Sequence, residues 1–400
     1  MQLPALTWPT GAPVLTVILD ATRSEGAHND VILDRWADLR RSCDLQGVDE
    51  VPSTDAEAVT DALERPTWAA GPHGRVLVAA SGRILLDRVL PEPPAVGRAV
   101  VADRPHAFAL ARVADAAVQY LLIESDRAGA RLSLREASAA AADHMIEVQE
   151  VDGGHEDLTK VRPGGMLARD RVDNRAEDSW ERNAEAVAAE VDRIVADRRP
   201  DLVLLTGDVR SCPLVTAALD AHAREVLVEV PGGSRSEGVN ARAFAAAVDD
   251  AVADFRARRR EVVVARFRQE VGRDGEAVLG IADALDVLRR GQVAELVLDA
   301  GTVGPPSRLS ERTLWIGADA LTLGTTPDEL ADLGVSDASE VRADLAIGRA
   351  VLDQAAGITI TDLQDVPDGL GAVLRWSDAA TPAETAFSQS GDTARARGAV

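Results

Sequence analysis

Residues 151–183 contain the stretch around which the chain is organised, and they read VDGGHEDLTKVRPGGMLARDRVDNRAEDSWERN. Gly153-Gly154 ends an apolar run, and Pro163-Gly164-Gly165 excludes regular structure in the middle. Five cations surround this break: Lys160, the only lysine of the chain, Arg162, Arg169, Arg171 and Arg175. The spacing leaves two interpretations open. The stretch is either a mobile surface loop with ordinary charges, or a glycine-tipped loop that contacts a polyanion.

A long amphipathic helix is predicted after the break, from about Val172. Its apolar residues recur at helical spacing and form a single stripe: Trp180, Ala184, Val187, Val191 and Ile194. Pro200 then ends the helix, and residues 202–207 have the pattern of a buried strand. The pattern therefore predicts a loop that leads into a long helix, and the helix packs on a sheet through its apolar stripe.

Composition sets the broad class of the protein. The chain has 400 residues, 46% of them apolar and 27% charged, which is typical of a globular protein with two to four domains. The net charge of -23 excludes a protein whose whole surface coats nucleic acid, although a single basic tip can still touch RNA. We find no signal peptide, no apolar run of membrane-spanning length and no paired cysteine motif. These features indicate a cytoplasmic location.

The N-terminal part of the chain has the pattern of an α/β unit. A buried strand at residues 14–19 is followed by a helix from Val31, and Thr54 to Glu57 has the form of a capping box that opens a second helix. Residues 75–80 and 83–90 flank a Ser81-Gly82 turn and predict a hairpin.

The middle part alternates strands and helices, which favours a mixed or parallel sheet flanked by helices. The predicted elements after the hairpin at residues 118–134 are strand 144–151, the long helix, strand 202–207, helix 214–221, strand 225–230 and helix 242–259.

The last part predicts a third α/β unit, whose elements are helix 277–290, strand 294–298, strand 313–316, helix 339–356 and strand 369–376. We therefore predict an α/β protein with an N-terminal domain, a middle domain, a C-terminal domain and a disordered tail: residues 1–104, 105–260, 261–376 and 377–400.

Common catalytic signatures are missing from the sequence. There is no phosphate-binding G-x-x-x-x-G-K-[ST] loop and no G-x-S-x-G elbow, and the histidines form no H-x-x-x-H pair. His155, Glu156 and Asp157 form the one acid–base or metal-like run, and such a run is more often a solvated loop face. We predict no catalytic residue, no metal and no cofactor.

The order of parts resembles the class-I release factor and Pelota family. In the middle unit the match is the succession of hairpin, strand, Gly-Gly loop, long helix, strand, helix, strand and helix. Residues 175–184, RAEDSWERNA, resemble the helix of the bacterial and archaeal release-factor-like branch. Within that branch the chain resembles mycobacterial-type members related to the ribosome hibernation factor Balon. The resemblance covers roughly residues 10–376 and is distinctive only between about 118 and 260.

Two departures from the family pattern bear on activity. The hydrolytic loop of the family needs a glutamine after its glycines, whereas Gly164-Gly165 is followed by Met166, Leu167 and Ala168. The stop-codon motif Asn-Ile-Lys-Ser is also missing, since the N-terminal domain has no lysine. The resemblance therefore implies a protein that reaches the ribosome without termination chemistry.

From the resemblance we expect a stress-response factor for ribosome hibernation that occupies the A site of idle 70S ribosomes without hydrolysis. Its expected rRNA-binding residues, near the peptidyl transferase centre of 23S rRNA, are Lys160, Arg162, Gly164, Gly165, Met166, Arg169, Arg171 and Arg175. Elongation factor Tu is a further expected partner, while DNA and membranes are not. Two alternatives remain: a peptidyl-tRNA hydrolase of the release-factor type, and a stress-related interaction protein that never meets the ribosome.

Overall fold

Helices and strands alternate along the computed structural model, which describes residues 1–9, 11–23, 30–67, 69, 71–138, 145–152, 166–234, 240–273, 275–303, 307–363 and 366–382. For residues 166–178 it describes the helical backbone and not the side chains. Four separate sheets carry the strands within these ranges. The predicted mixed α/β class, with more than one sheet-based unit, is confirmed.

The N-terminal sheet is built from the first elements of the chain: β1 (Val14–Asp20), α1 (Asp30–Arg41), β2 (Asp44–Leu45), α2 (Ser53–Glu64), β3 (Gly74–Ala80), β4 (Arg83–Leu90) and β5 (Arg98–Ala102), followed by α3 (Ala107–Ala116). The strand order is β2-β5-β1-β3-β4. The predicted hairpin is confirmed as the antiparallel pair β3 and β4. The predicted capping box is wrong, because Pro52 takes the capping position of α2 and Thr54 lies inside the first turn.

The middle sheet and its helices follow: β6 (Gln119–Ser125), β7 (Gly129–Glu136), β8 (Met145–Asp152), α4 (Met166–Arg198), β9 (Leu202–Gly207), α5 (Ser211–Ala218), α6 (Ala221–Glu225), β10 (Leu227–Glu229) and α7 (Ala241–Val271). The strand order is β10-β9-β6-β7-β8. β6, β9 and β10 run parallel, and β7 and β8 are antiparallel neighbours. The predicted mixed sheet is confirmed.

The long helix α4 packs its apolar stripe onto one face of the middle sheet. Ala184, Val187, Val191 and Ile194 are buried there, as the periodicity predicts. The helix begins at Met166 rather than near Val172, so the sequence pattern placed its start too late. α7 covers the opposite face of the sheet.

Two further sheets form the C-terminal part: β11 (Ala277–Leu279), α8 (Gly280–Arg289), β12 (Val293–Asp299), α9 (Arg308–Glu311), β13 (Thr313–Ile316), β14 (Leu323–Gly324), α10 (Pro327–Asp332), β15 (Ser339–Arg342), α11 (Ala343–Asp353), β16 (Gly357–Thr361) and β17 (Leu370–Leu374). The C-terminal sheet has the order β11-β17-β12-β16, and a small sheet has the order β14-β13-β15. The helix predicted at residues 339–356 is partly wrong, because residues 339–342 pair with β13 before α11 begins.

The N-terminal sheet and the C-terminal part meet in a buried ionic cluster. Arg98 on β5 donates hydrogen bonds to Asp344 (2.5 Å) and to Asp44 (3.1 Å), and Arg342 donates to the same two carboxylates (2.8 and 2.7 Å). Burial alone would raise the pKa of Asp344. The hydrogen bond from His106, together with the charge and hydrogen bond of Arg98, outweighs burial and holds that pKa far below its usual range. Asp344 is therefore ionised and tightly paired at neutral pH.

α3 lies between these parts and is held at both ends. His106 caps its start by accepting the N–H of Ala109 through Nδ1 (3.3 Å). Arg256 and Arg259 of α7 donate to carbonyls at its end, Ala116 (2.5 Å) and Ala114 (3.0 Å). These donors satisfy carbonyls that the helix itself leaves without partners. α7 is thereby attached to the N-terminal part of the fold.

The predicted domain boundaries stay predictions. α7 runs without a break through the boundary placed after residue 260. The predicted tail falls mostly on residues 383–400, which lie outside the described residues, as does the Gly-Gly loop before α4. Among the described helices, none has the length and apolar content needed to cross a membrane.

Candidate functional site at one edge of the middle sheet

The predicted site residues lie at the end of the middle sheet from which α4 departs. Lys160, Arg162, Gly164 and Gly165 lie outside the described residues. Met166, Arg169, Arg171 and Arg175 belong to the first three turns of α4, of which the structure describes the backbone. The part of the site whose side chains are described is the sheet edge from which the first turns of α4 project.

That base is the edge where the parallel strands β6 and β9 end. Ser125 and Gly207, the last residues of these strands, lie opposite each other, and β8 ends nearby at Asp152, opposite Gly129. Because the carboxyl ends of parallel strands share one edge, the loops that follow them converge there. β8 therefore ends at this edge as well.

The first turns of α4 project beyond the edge. Trp180 lies level with it, since it contacts Arg127 in the turn after β6 and Arg210 in the turn after β9. Met166 precedes Trp180 by 14 residues, and at 1.5 Å per residue the helix extends about 21 Å past Trp180. We call this projecting segment, residues 166–179, the arm. It carries three of the predicted cations.

Trp180 fixes the arm to the sheet through two arginines. The guanidinium carbon of Arg127 lies 4.7 Å from the centre of the indole ring, and that of Arg210 lies 5.7 Å away. Cation–π contacts of this kind contribute about 0.5–2 kcal/mol each, depending on solvent exposure. Arg127 also pairs with Asp208 (3.3 Å), which holds it in place. The tryptophan thus contacts two arginines at the base of the arm.

Asn183 adds a second attachment one turn further along α4. Its side chain is 2% exposed, and its Nδ2 donates to the backbone carbonyl of Arg127 (2.8 Å). Trp180 and Asn183 are the tryptophan and asparagine of the RAEDSWERNA segment. The sequence resemblance singled out both residues but gave neither a role. In the structure they join α4 to the turn after β6.

A chain of hydroxyl groups closes the edge beneath the arm. Ser211 Oγ donates to the carbonyl of Asp126 (2.8 Å), so Ser125 Oγ must be the donor in its 2.6 Å contact with Ser211 Oγ. A carbonyl oxygen cannot accept a proton as a catalytic base would, so this arrangement is a structural link. The N–H of Arg210 donates to Asp208 (2.8 Å) and, with the charge of Arg127, lowers the pKa of that carboxyl.

Two glycines allow the strands to end this close together. A Cβ at Gly207 would lie 1.8 Å from the carbonyl oxygen of Ser125, and the φ of Gly207 is +140°. A Cβ at Gly129 would lie 2.0 Å from the carbonyl oxygen of Val151. No side chain fits at either position. The sequence signal for both is a glycine at the end or start of a predicted strand, which alone does not distinguish them from ordinary turn glycines.

The neighbouring cleft at the same edge is acidic. It has a volume of about 470 Å³ and its lining includes Glu124, Arg131, Glu150 and Asp152. Arg131 lies 3.6 Å from Glu150. Within the described residues, no group of three or more His, Cys, Asp or Glu side chains is placed to hold a metal ion.

Residues 119–273, which contain the middle sheet with α4 to α7, match the family model described as Bacterial archaeo-eukaryotic release factor family 2. The middle unit of the chain is therefore release-factor-like, as the sequence resemblance predicts.

More particularly, the chain is similar to two Mycobacterium tuberculosis proteins, Rv2629 of strain ATCC 25618 / H37Rv and MT2704 of strain CDC 1551 / Oshkosh, each named only as uncharacterized. Each is 26% identical over 348 residues, which cover 86% of this chain and 87% of the relative.

Among solved structures, the chain has a match to Saccharomyces cerevisiae Dom34, a translation termination-like factor, at 8% identity and a TM-score of 0.37. That match covers 78% of this chain and 82% of Dom34. Archaeoglobus fulgidus Pelota shares 10% identity, with a TM-score of 0.34 and coverage of 94% and 99%. The family match concerns residues 119–273, the middle unit.

Proposed function

We propose that the protein is a ribosome hibernation factor that occupies the A site of idle 70S ribosomes without hydrolysing peptidyl-tRNA. The observation that carries the proposal is the arm of a release-factor-like middle unit, which projects about 21 Å past Trp180 and bears Arg169, Arg171 and Arg175. The preceding loop lacks the glutamine that peptidyl-tRNA hydrolysis needs in the family. Such an arm can contact RNA but cannot position the hydrolytic water.

RNA contact at the arm is favoured by its backbone as well as its side chains. The first N–H groups of a long helix point away from the helix and carry a partial positive charge, which favours phosphate. Gly164 and Gly165 would allow the loop backbone to approach rRNA closely. In this proposal the loop and arm reach 23S rRNA near the peptidyl transferase centre in the cytoplasm.

The arm also carries acidic residues, and they make the charge test sharper. Asp170 and Asp173 lie among the three arginines of the arm. If the arm contacts phosphate, removal of these two negative charges should strengthen binding, while removal of nearby positive charges should weaken it. Opposite signs at interleaved positions are difficult to explain by loss of folding.

The experiment is cosedimentation with purified 70S ribosomes over a series of salt concentrations. The triple variant R162A/R169A/R171A should bind at least tenfold more weakly, and its salt dependence should fall by about 0.7–0.9 per lost phosphate contact. The double variant D170N/D173N should bind more tightly. The control R258A/R266A/R268A removes the same charge from exposed positions of α7 and should bind like the wild type.

If the two triple variants bind 70S ribosomes equally well, the arm is not part of the ribosome-binding interface. No cosedimentation at any salt concentration would favour an interaction protein that does not meet the ribosome.

Occupancy and chemistry are tested on the same complexes. Binding should be equal for empty ribosomes and for ribosomes that display stop or sense codons, and A-site tRNA should abolish it. Peptidyl-tRNA in the P site should remain intact in the presence of stoichiometric protein. Release above background, abolished by Gly165→Ala, would establish the hydrolase alternative instead. Adding elongation factor Tu to the same assay tests whether that factor joins the complex.

A further inference from the structure

A small apolar cleft lies between the N-terminal sheet and the C-terminal part, far along the chain from the arm. It has a volume of about 280 Å³. Its walls come from β1, β5, α3 and the short turn at Ala300–Thr302 that follows β12. A volume of this size corresponds to about nine water molecules, just below the usual range of small-molecule pockets. The cleft can therefore hold a compact molecule of roughly ten non-hydrogen atoms.

The walls of the cleft are mainly hydrophobic. Ile18, Phe108 and Val303 line it, and Val96 lies at its opening, where its side chain is 49% exposed. An exposed valine at the entrance of an apolar cleft leaves hydrophobic surface in contact with water. A ligand with an apolar body would remove this surface from water, which is favourable by about 25 cal/mol per Å².

One cation on the wall has no partner. Arg112 of α3 lines the cleft, is half-buried and makes no hydrogen bond or ion pair with any of the residues that the structure describes. Burial lowers the pKa of Arg112, while the charges of Asp115 and Glu92 raise it without pairing with it. Asp115 instead pairs with Arg260 (2.8 Å). The guanidinium of Arg112 is thus partly removed from water and has no counter-ion among the described residues.

The other basic groups of the cleft are already engaged. Arg98 is bound by the carboxylates of Asp344 (2.5 Å) and Asp44 (3.1 Å). His106 lies 3.4 Å from Asp344, and burial lowers its pKa, which favours the neutral ring. Arg112 is therefore the group in this cleft whose charge is available to a ligand. A planar guanidinium suits a carboxylate, which it can bind through two parallel hydrogen bonds.

We propose that this cleft binds a small amphipathic anion, with its apolar body against Ile18, Phe108 and Val303 and its acidic group against Arg112. The site differs from the arm and does not depend on ribosome binding. Because its walls come from the N-terminal sheet and from the turn after β12, an occupied cleft would also hold the N-terminal sheet against the C-terminal part.

Octanoate and octanamide are matched probes for this proposal, since they have the same length and differ in charge. Titration calorimetry of the full chain should show saturable octanoate binding and at least tenfold weaker octanamide binding. Arg112→Met should reduce octanoate affinity to that of octanamide, and Arg112→Lys should retain a preference for octanoate. Arg83→Met removes the same charge from an exposed position on β4 and should leave octanoate binding unchanged.

Val96→Trp places a large side chain at the opening and should block both probes. Circular dichroism establishes that each variant is folded before titration. Absence of saturable octanoate binding at millimolar concentration would overturn the proposal. Equal affinities for the two probes, or octanoate binding that survives Arg112→Met, would overturn it as well.

Discussion

The attachment of α4 to the edge of the middle sheet is testable through Asn183→Leu. Leucine has the same number and branching of side-chain heavy atoms as asparagine but cannot donate, so the variant removes the 2.8 Å hydrogen bond from Nδ2 to the carbonyl of Arg127. Asn183 is 2% exposed, so water cannot replace the lost donor. A lost buried hydrogen bond and the unsatisfied carbonyl it leaves together cost about 2 kcal/mol after the apolar gain of leucine.

The expected effect is local. A cost of about 2 kcal/mol corresponds to roughly a thirtyfold increase in the opening equilibrium of the base of the arm. Hydrogen exchange followed by mass spectrometry measures this opening in peptides that cover residues 126–136 and 180–190. Peptides from β12 should exchange as in the wild type. The control Glu185→Leu introduces the same side chain at an exposed position on the same helix.

Unchanged exchange near residue 127 would refute the role given to Asn183. A uniform increase that includes β12 would also refute it, because the variant would then weaken the whole fold rather than one attachment.

Three further variants test other features of the fold. Gly207→Ala should lower the free energy of unfolding in urea by more than about 3 kcal/mol, because its Cβ would lie 1.8 Å from the carbonyl oxygen of Ser125. Gly232 also has a positive φ but has open space around it, so the control Gly232→Ala should lower the free energy of unfolding by only about 1–2 kcal/mol. The pKa of Asp344 is lowered on folding, so its ionised form stabilises the fold above about pH 4, and this contribution is lost as the pH falls further. The free energy of unfolding of the wild type should therefore fall more steeply on acidification than that of Asp344→Asn. Parallel curves of stability against pH for the two proteins would contradict this. Arg256→Met should speed hydrogen exchange at the end of α3, and unchanged exchange there would mean that its bond to a terminal carbonyl of α3 contributes nothing.

Strands and helices with a clear period were predictable from the sequence. The stripe from Ala184 to Ile194 encodes which face of α4 is buried, and the structure buries that face. α3 has no counterpart in the prediction, because it is buried on nearly every side and its sequence has no polar face. Residues 339–342 were assigned to a helix, since their pairing with β13 depends on a strand elsewhere in the chain.

The candidate site was predictable only in part. The cations of the arm follow from sequence, because a glycine-rich break with nearby arginines is visible without a fold. The stacking of Arg127 and Arg210 on Trp180 does not follow, because these three residues come from separate elements and meet only when β6 and β9 pair. The same reason hides the cleft beside Arg112, whose lining residues extend from Thr16 to Val303 in the chain.

α7 gives the molecule a rigid connection between two sheets. The helix has 31 residues, about 46 Å, and its sequence contains neither glycine nor proline. Val248 and Val252 pack under the middle sheet, while Val264 and Phe267 pack under the C-terminal sheet.

Domains joined by a loop can swing about a hinge, but these two sheets can separate or rotate only if the helix bends, and it lacks the residues at which helices usually kink. α7 therefore keeps the middle sheet and the C-terminal sheet at a fixed distance. A partner that binds the C-terminal sheet would therefore also fix the position and direction of the arm relative to the surface that the arm contacts.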